Sequence, residues 1–130
     1  MKYLLDTVTF LWTIFEEADT IPKKAKAVME ETGNELVFSA ASAWEIAIKF
    51  FLGRLELQSH PDEWLPSVVL KMGLRQLSIT QRHALALVHL PLHHKDPFDR
   101  LLICQAKLEG LTIITPDTIF RKYRVPVIWG

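Results

Sequence analysis

The chain has 130 residues, and 49% of them are hydrophobic, enough apolar material for a sizeable core without a disulfide or a structural metal. Its 15 basic and 15 acidic side chains cancel to a formal charge of +0, which excludes a global electrostatic attraction to nucleic acid and leaves any basic surface to local clustering. The single cysteine, Cys104, has no partner and lies in the apolar run LLICQA, so it reads as a small buried hydrophobe in a reducing compartment.

Asp6 interrupts the N-terminal run MKYLLDTVTFLW before it reaches the length of a secretory apolar core. No stretch approaches membrane-spanning length, so a soluble, cytoplasmic protein is expected. Residues 3–5 read as a buried strand ended by Asp6-Thr7, and residues 8–15 carry apolar side chains at helical spacing. Pro22 stands where a helix N1 position falls in IPKKAKAVMEE, and Gly33-Asn34 ends that helix. Residues 36–38 form a second strand candidate, followed by helices over 39–51 and 61–72 that stop near Gly53 and Gly73. Residues 74–77 make a weak, exposed strand, and Thr80 caps a helix running through Val88. The loop HLPLHHKDP leads into a helix over 97–109 that stops at Gly110. A β-branched strand over 111–114, a short helix over 117–120 and a last strand over 125–128 complete the pattern.

No linker, charge block or repeat divides the chain, so one domain spanning 1–130 is expected. Strands that alternate with helices and are apolar on both faces indicate an α/β fold: a three-layer α/β/α sandwich around a mainly parallel sheet. In such sheets, ligands bind beyond the carboxyl ends of the strands.

Acids stand at four of those junctions. Asp6 follows the first strand, and Glu45 lies early in the helix after the second. Asp96 and Asp99 open the helix over 97–109, and Asp117 follows the strand LTIIT. A parallel sheet would gather Asp6, Glu45, Asp99 and Asp117 along one edge. Crowded carboxylates raise one another's pKa and need positive compensation, from helix N-termini in part and from a hard divalent cation for the rest. Oxygen donors favour Mg²⁺ or Mn²⁺, which suit phosphodiester hydrolysis. Each acid also has a structural reading. Ser42-Ala-Trp-Glu45 fits a capping box, Asp96-Pro97-Phe98-Asp99 fits an N-cap with proline at N1, Asp117 fits an acid at a helix start, and Asp6 fits a cap on the next helix.

The strings LLDTVTFLW, SAASAWEIAIKFFLGRLEL, HHKDPFDRLLICQAKLEG and LTIITPDTIFRKY resemble the PIN domain, and within it the VapC-type toxins of bacterial type II toxin–antitoxin modules. The resemblance runs over essentially the whole chain. It implies a ribonuclease dependent on Mg²⁺ or Mn²⁺, with Asp6, Glu45, Asp99 and Asp117 as catalytic and metal-binding acids. Asp96 is an additional acid that caps its helix and ranks below Asp99. The resemblance also implies homodimerisation and inhibition by a cognate antitoxin protein. The chain departs from the pattern at Val8, where relatives often carry a His, and at Pro116, where a small residue is more usual.

Thr7, Ser42, His94, Lys95 and Arg100 are the candidate substrate contacts. His94, Lys95 and Arg100 put basic groups beside the acids, where they would engage RNA phosphates or simply line a solvated loop. Arg121, Lys122 and Arg124 with Tyr123 among them suit single-stranded RNA or a solvated helix end. Trp12 and Trp44 read as core or dimer interface, and the segment around Trp64 to Leu70 as an apolar face for a second copy or an antitoxin segment. A catalytically silent RNA- or protein-binding module, and a metal-dependent phosphatase or DNA nuclease, are the competing functions.

Overall fold

The computed structural model describes residues 1–15 and 18–130. Five strands, β1 (Lys2–Leu5), β2 (Glu35–Ser39), β3 (Arg75–Leu77), β4 (Thr112–Ile114) and β5 (Val127–Ile128), form one sheet in the order β3-β2-β1-β4-β5. Every neighbouring pair is parallel, with Leu4 opposite Val37 on one side and Ile113 on the other. The helices are α1 (Thr7–Ile14), α2 (Lys23–Glu30), α3 (Ala40–Phe51), α4 (Pro61–Lys71), α5 (Gln81–Leu85) and α6 (Pro97–Glu109). Short 3₁₀ turns cover Ala18–Thr20, Ala86–His89 and Thr118–Tyr123.

The period-2 geometry of a strand sends successive side chains to opposite faces, and two cores follow from it. Leu4, Val37 and Ile113 point to one face, where they meet Leu102, Ile103 and Ala106 of α6 with Phe120 and Tyr123. Tyr3, Leu5, Phe38 and Ile114 point to the other, against Phe10 of α1, Ala25 of α2, and Leu65 and Val69 of α4. Helix α3 serves both, through Ala41 on one side and Ile46 on the other. The strands are apolar on both faces because both are covered, and the result is the expected α/β/α sandwich.

Local chemistry accounts for the differences from the sequence reading. Pro22 is the cap before α2, with extended ψ of 155°, so the helix starts one residue later than expected. The helix after Thr80 is only five residues long and tightens into the 3₁₀ turn Ala86–His89. The last strand is trimmed to two residues, Val127 and Ile128. Cys104 is buried and unpaired, and burial pushes its thiol pKa up, as its apolar setting implied. No described helix is long and apolar enough to cross a membrane.

Helix α6 ends at Gly110, where φ is 68° and ψ is 41° and the N–H bonds back to the Ala106 carbonyl. The chain then turns directly into buried Leu111 and β4. Since an L side chain is strained in that left-handed region, Gly110→Ala should cost about 1 kcal/mol, read as a lower urea midpoint with unchanged m-value. An unshifted midpoint would count against this cap.

Candidate functional site

The strand order turns back between β1 and β4, since β2 and β3 lie to one side of β1 and β4 and β5 to the other. A crevice beyond the carboxyl ends at that point is where open α/β sheets bind ligands. Asp6 and Thr115 stand there, one residue past β1 and β4 respectively. Asp6 leaves the sheet in an extended conformation and caps α1, its Oδ1 accepting the Thr9 N–H at 2.9 Å. Its Oδ2 accepts the Thr115 hydroxyl at 2.6 Å, a bond that spans the switch point. The carboxylate is 3% exposed, and burial raises its pKa more than the bonds from Thr115 and Thr9 lower it; the charge of Asp117 raises it further. Thr115 Oγ1 also accepts the Asp117 N–H at 3.0 Å, and Asp117 Oδ1 accepts from the Ile119 N–H.

Helix α3 is capped by Ser39, whose side chain accepts the Ala41 N–H. Ser42 is therefore inside the helix, and the capping box suggested by Ser42 and Glu45 does not form. The two side chains instead share the buried face of α3. Ser42 Oγ accepts the Thr7 hydroxyl at 2.9 Å, bracing α1 against α3. Both groups are buried and paired with each other, as closely enclosed as Asp6 and Glu45. Glu45 is buried as well, and Lys49 one turn on donates to its Oε2 at 2.7 Å.

Asp96 caps α6 by accepting the Asp99 N–H at 2.9 Å, with Pro97 in the first turn, as the local sequence implied. Asp99 then lies in the first turn of α6, with its side chain 20% exposed. Its pKa is pushed up to about 8, first by burial and then by the charges of Asp96, Asp6, Glu45 and Asp117. All the acids read from the sequence thus act on one carboxyl group. Burial and like charge disfavour the ionised form of Asp99, and a bound cation would offset both.

The loop before α6 is anchored by Tyr123, which is 1% exposed. Its oxygen accepts the N–H groups of His93 and His94 at 3.2 and 3.1 Å and Nη1 of Arg100 at 3.1 Å. Nδ1 of His94 lies 2.7 Å from the same oxygen and the His94 carbonyl 3.5 Å from it; with the phenol proton on Nδ1, the imidazole carries its N–H at Nε2. That N–H faces Asp99 Oδ2 at 3.2 Å. Arg100 also donates to the Pro91 and Leu90 carbonyls, so its guanidinium clamps the loop. Lys95 is exposed beside it. Tyr123→Phe keeps the ring and strands three N–H donors, so a loss of roughly 1–3 kcal/mol is expected in chemical denaturation. A variant as stable as the parent would show that water replaces the hydroxyl.

Several residues here escaped the sequence reading. Tyr123 sits among basic residues and looked available to RNA, whereas its ring is core. Trp44, expected in the core or at a dimer interface, is outside the core at 53% exposed, edge-on to Phe98 at 5.0 Å. Trp12 is half-buried against Trp129. Thr115 carried a signal, a hydroxyl ending an otherwise apolar strand before Asp117, and Lys49 carried another, four residues beyond Glu45.

The potential ligands here are mainly carboxylate and hydroxyl oxygens, with the His94 imidazole against Asp99, a set that fits a hard cation of the Mg²⁺ or Mn²⁺ type. Among the described residues, no three His, Cys, Asp or Glu side chains close into a metal-binding group. The two facts are compatible for Mg²⁺, which binds through one or two carboxylates and keeps water or phosphate oxygens at its other positions.

A family model described as the PIN domain matches residues 3–126, and the chain belongs to that family. It is 33% identical over 66 residues to Ribonuclease VapC16 of Mycobacterium tuberculosis (strain ATCC 25618 / H37Rv). That alignment covers 51% of this chain and 46% of the relative, just under half of the relative's length. Among solved structures, the fold is similar to VapBC2 from Rickettsia felis bound to a DNA fragment from their promoter, with a TM-score of 0.74, 14% identity and full coverage of both chains (100% and 100%). It is also similar to DNA-bound VapBC from Salmonella typhimurium, with a TM-score of 0.70 and 18% identity over 98% of this chain and 97% of that one. FitAcB from Neisseria gonorrhoeae matches at a TM-score of 0.63 and 19% identity over 97% and 96%.

Proposed function

We propose that this chain is a metal-dependent endoribonuclease of the VapC type, the toxin of a type II toxin–antitoxin pair, acting as a single PIN domain in the cytoplasm. The observation that carries the reading is the acidic crevice beyond β1 and β4, where Asp6 and Asp117 share Thr115 and the charges of Asp96, Asp6, Glu45 and Asp117 all reach Asp99. Family membership and the similarity to a protein named a ribonuclease support it.

Asp6, Glu45, Asp99 and Asp117 are the proposed catalytic and metal-binding residues. A bound Mg²⁺ or Mn²⁺ would supply Lewis acidity toward the phosphoryl oxygens and a more acidic water. The chain's part is to hold the carboxylates. Thr9 and Thr115 fix both oxygens of Asp6, and His94 fixes Oδ2 of Asp99. Asp96 has Oδ1 committed to its cap, which ranks it below Asp99 as a ligand. Lys95, exposed beside the acids, is the side chain best placed to hold a phosphate of the RNA.

The partners follow from apolar surface. A cavity of about 360 Å³ between α3 and α4, lined by Phe38, Ala43, Ala47, Leu65, Pro66 and Val69, suits an apolar segment of a cognate antitoxin. The proposed homodimer would cover exposed apolar side chains such as Phe51, Leu52 and Leu70.

The test is incubation of total cellular RNA with the purified, antitoxin-free protein in Mg²⁺ or Mn²⁺ and in EDTA. Single-stranded DNA and a phosphate monoester run in parallel. Discrete RNA products that vanish in EDTA are expected. RNA left intact by folded protein in every metal would favour the silent binding module, and hydrolysis of the monoester or DNA alone would favour a different phosphoester.

A further inference from the structure

We propose that Trp44 and Phe98 form a stacking platform for an unpaired nucleobase, one residue ahead of Glu45 on α3 and of Asp99 on α6; this rests on the ribonuclease reading above. Trp44 directly precedes Glu45 on α3, and Phe98 directly precedes Asp99 on α6. Their rings meet at 5.0 Å between centroids and 76° between planes. An aromatic side chain from each of two helices therefore stands one residue ahead of an acid of the cluster.

Neither ring belongs to the two buried cores. Trp44 is 53% exposed and Phe98 half-buried. An edge-to-face contact restricts the indole's rotamers, so little further ordering is needed when a base stacks on it.

The surrounding charges favour a base as the occupant. A nucleotide whose phosphate enters the carboxylate cluster carries its base one sugar away. The cations nearby are largely committed, Lys49 to Glu45 and Arg100 to the loop carbonyls and Tyr123. With a net charge of +0, the chain offers the backbone of a polynucleotide little electrostatic attraction. Stacking supplies affinity independent of charge and tolerant of base identity. Bases in a duplex have both faces covered, so only an unpaired base can use the platform.

The experiment measures steady-state cleavage of an unstructured oligoribonucleotide, and of the same strand annealed to its complement, by the parent protein, Trp44→Phe and Trp44→Leu. Sedimentation velocity and thermal unfolding are recorded for each. The single strand should be cleaved and the duplex resisted. Trp44→Leu should raise KM about 5- to 100-fold with little change in kcat, the signature of lost stacking, and Trp44→Phe should recover most of that loss. An unchanged KM in Trp44→Leu, or a duplex cleaved as fast as the single strand, overturns the platform. A dimer that dissociates in Trp44→Leu also overturns it, by assigning the indole to an interface between copies. If the parent protein cleaves no RNA, quenching of its tryptophan emission by the oligonucleotide decides the matter separately. Quenching that disappears in Trp44→Phe upholds the platform while the ribonuclease reading fails, and quenching that is absent or survives the substitution removes the platform too.

Discussion

Asp99→Asn should lower RNA cleavage at least about 100-fold and, in EDTA, leave the protein more stable than the parent at pH 8. The unfolded chain releases the Asp99 proton near 3.8, and the folded protein holds it to about 8. Between those values the folded state binds more protons than the unfolded one, so raising the pH weakens folding across that window and has no further effect through this group above it. The parent's Tm in EDTA should therefore fall from pH 5 to pH 8 more than the variant's does. Solvent screening of a side chain that is 20% exposed reduces the difference to on the order of 2 kcal/mol, or about 5 °C. Glu109 shifts in the opposite sense, remains in the variant and cancels in the comparison; Asp6 shifts in the same sense and is coupled to Asp99, so its relief in the variant adds to the difference. Mg²⁺ should raise the Tm of the parent at pH 8 and act only weakly on Asp99→Asn, because a cation bound only by the folded state stabilises it by mass action. Equal pH slopes for the two proteins would remove Asp99 from the centre of the cluster.

The parts of this molecule that were readable from sequence are those dictated by local chemistry. Residues 3–5 are apolar because β1 is covered on both faces, and Asp6 marks its end because a carboxylate both leaves the core and caps the next helix. Asp96-Pro97 and Gly110 frame α6 through capping preferences that act over three or four residues. The acids at the strand ends follow from the same logic, since a parallel sheet collects whatever stands after each strand. What was not readable depends on distant pairing. Ser42 was assigned to a cap by its spacing from Glu45, but Ser39 caps α3 and also donates to Gln105 of α6, which leaves Ser42 inside the helix for Thr7. Tyr123 is core because the loop before α6 turns its N–H groups onto the phenol oxygen. Trp44 is exposed because the buried face of α3 is filled by Ala41, Ser42, Glu45 and Ile46. No window centred on Tyr123 or Trp44 contains those partners.

Asp6 allows the structural and chemical roles of one carboxylate to be separated. Asp6→Asn keeps an oxygen for the Thr9 N–H, so the cap survives, and it removes a buried charge whose pKa is raised by burial. Its amide faces Thr115 Oγ1 as a donor where the carboxylate was an acceptor, so the Thr115 hydroxyl proton loses its acceptor and one donor of the switch point is left over. The gain and the loss offset, and stability should stay within about 1 kcal/mol of the parent. Asp6→Ala loses the cap and leaves the Thr115 hydroxyl without its acceptor, for a combined cost of roughly 2–4 kcal/mol. Cleavage should nevertheless fall about 1,000-fold in both, because neither offers a carboxylate to a cation. Urea unfolding and single-turnover cleavage on the same preparations separate the two effects. If activity instead tracked stability, with Asp6→Asn cutting RNA nearly as fast as the parent, Asp6 would be a helix cap alone, and the cluster would have to work through Glu45, Asp99 and Asp117.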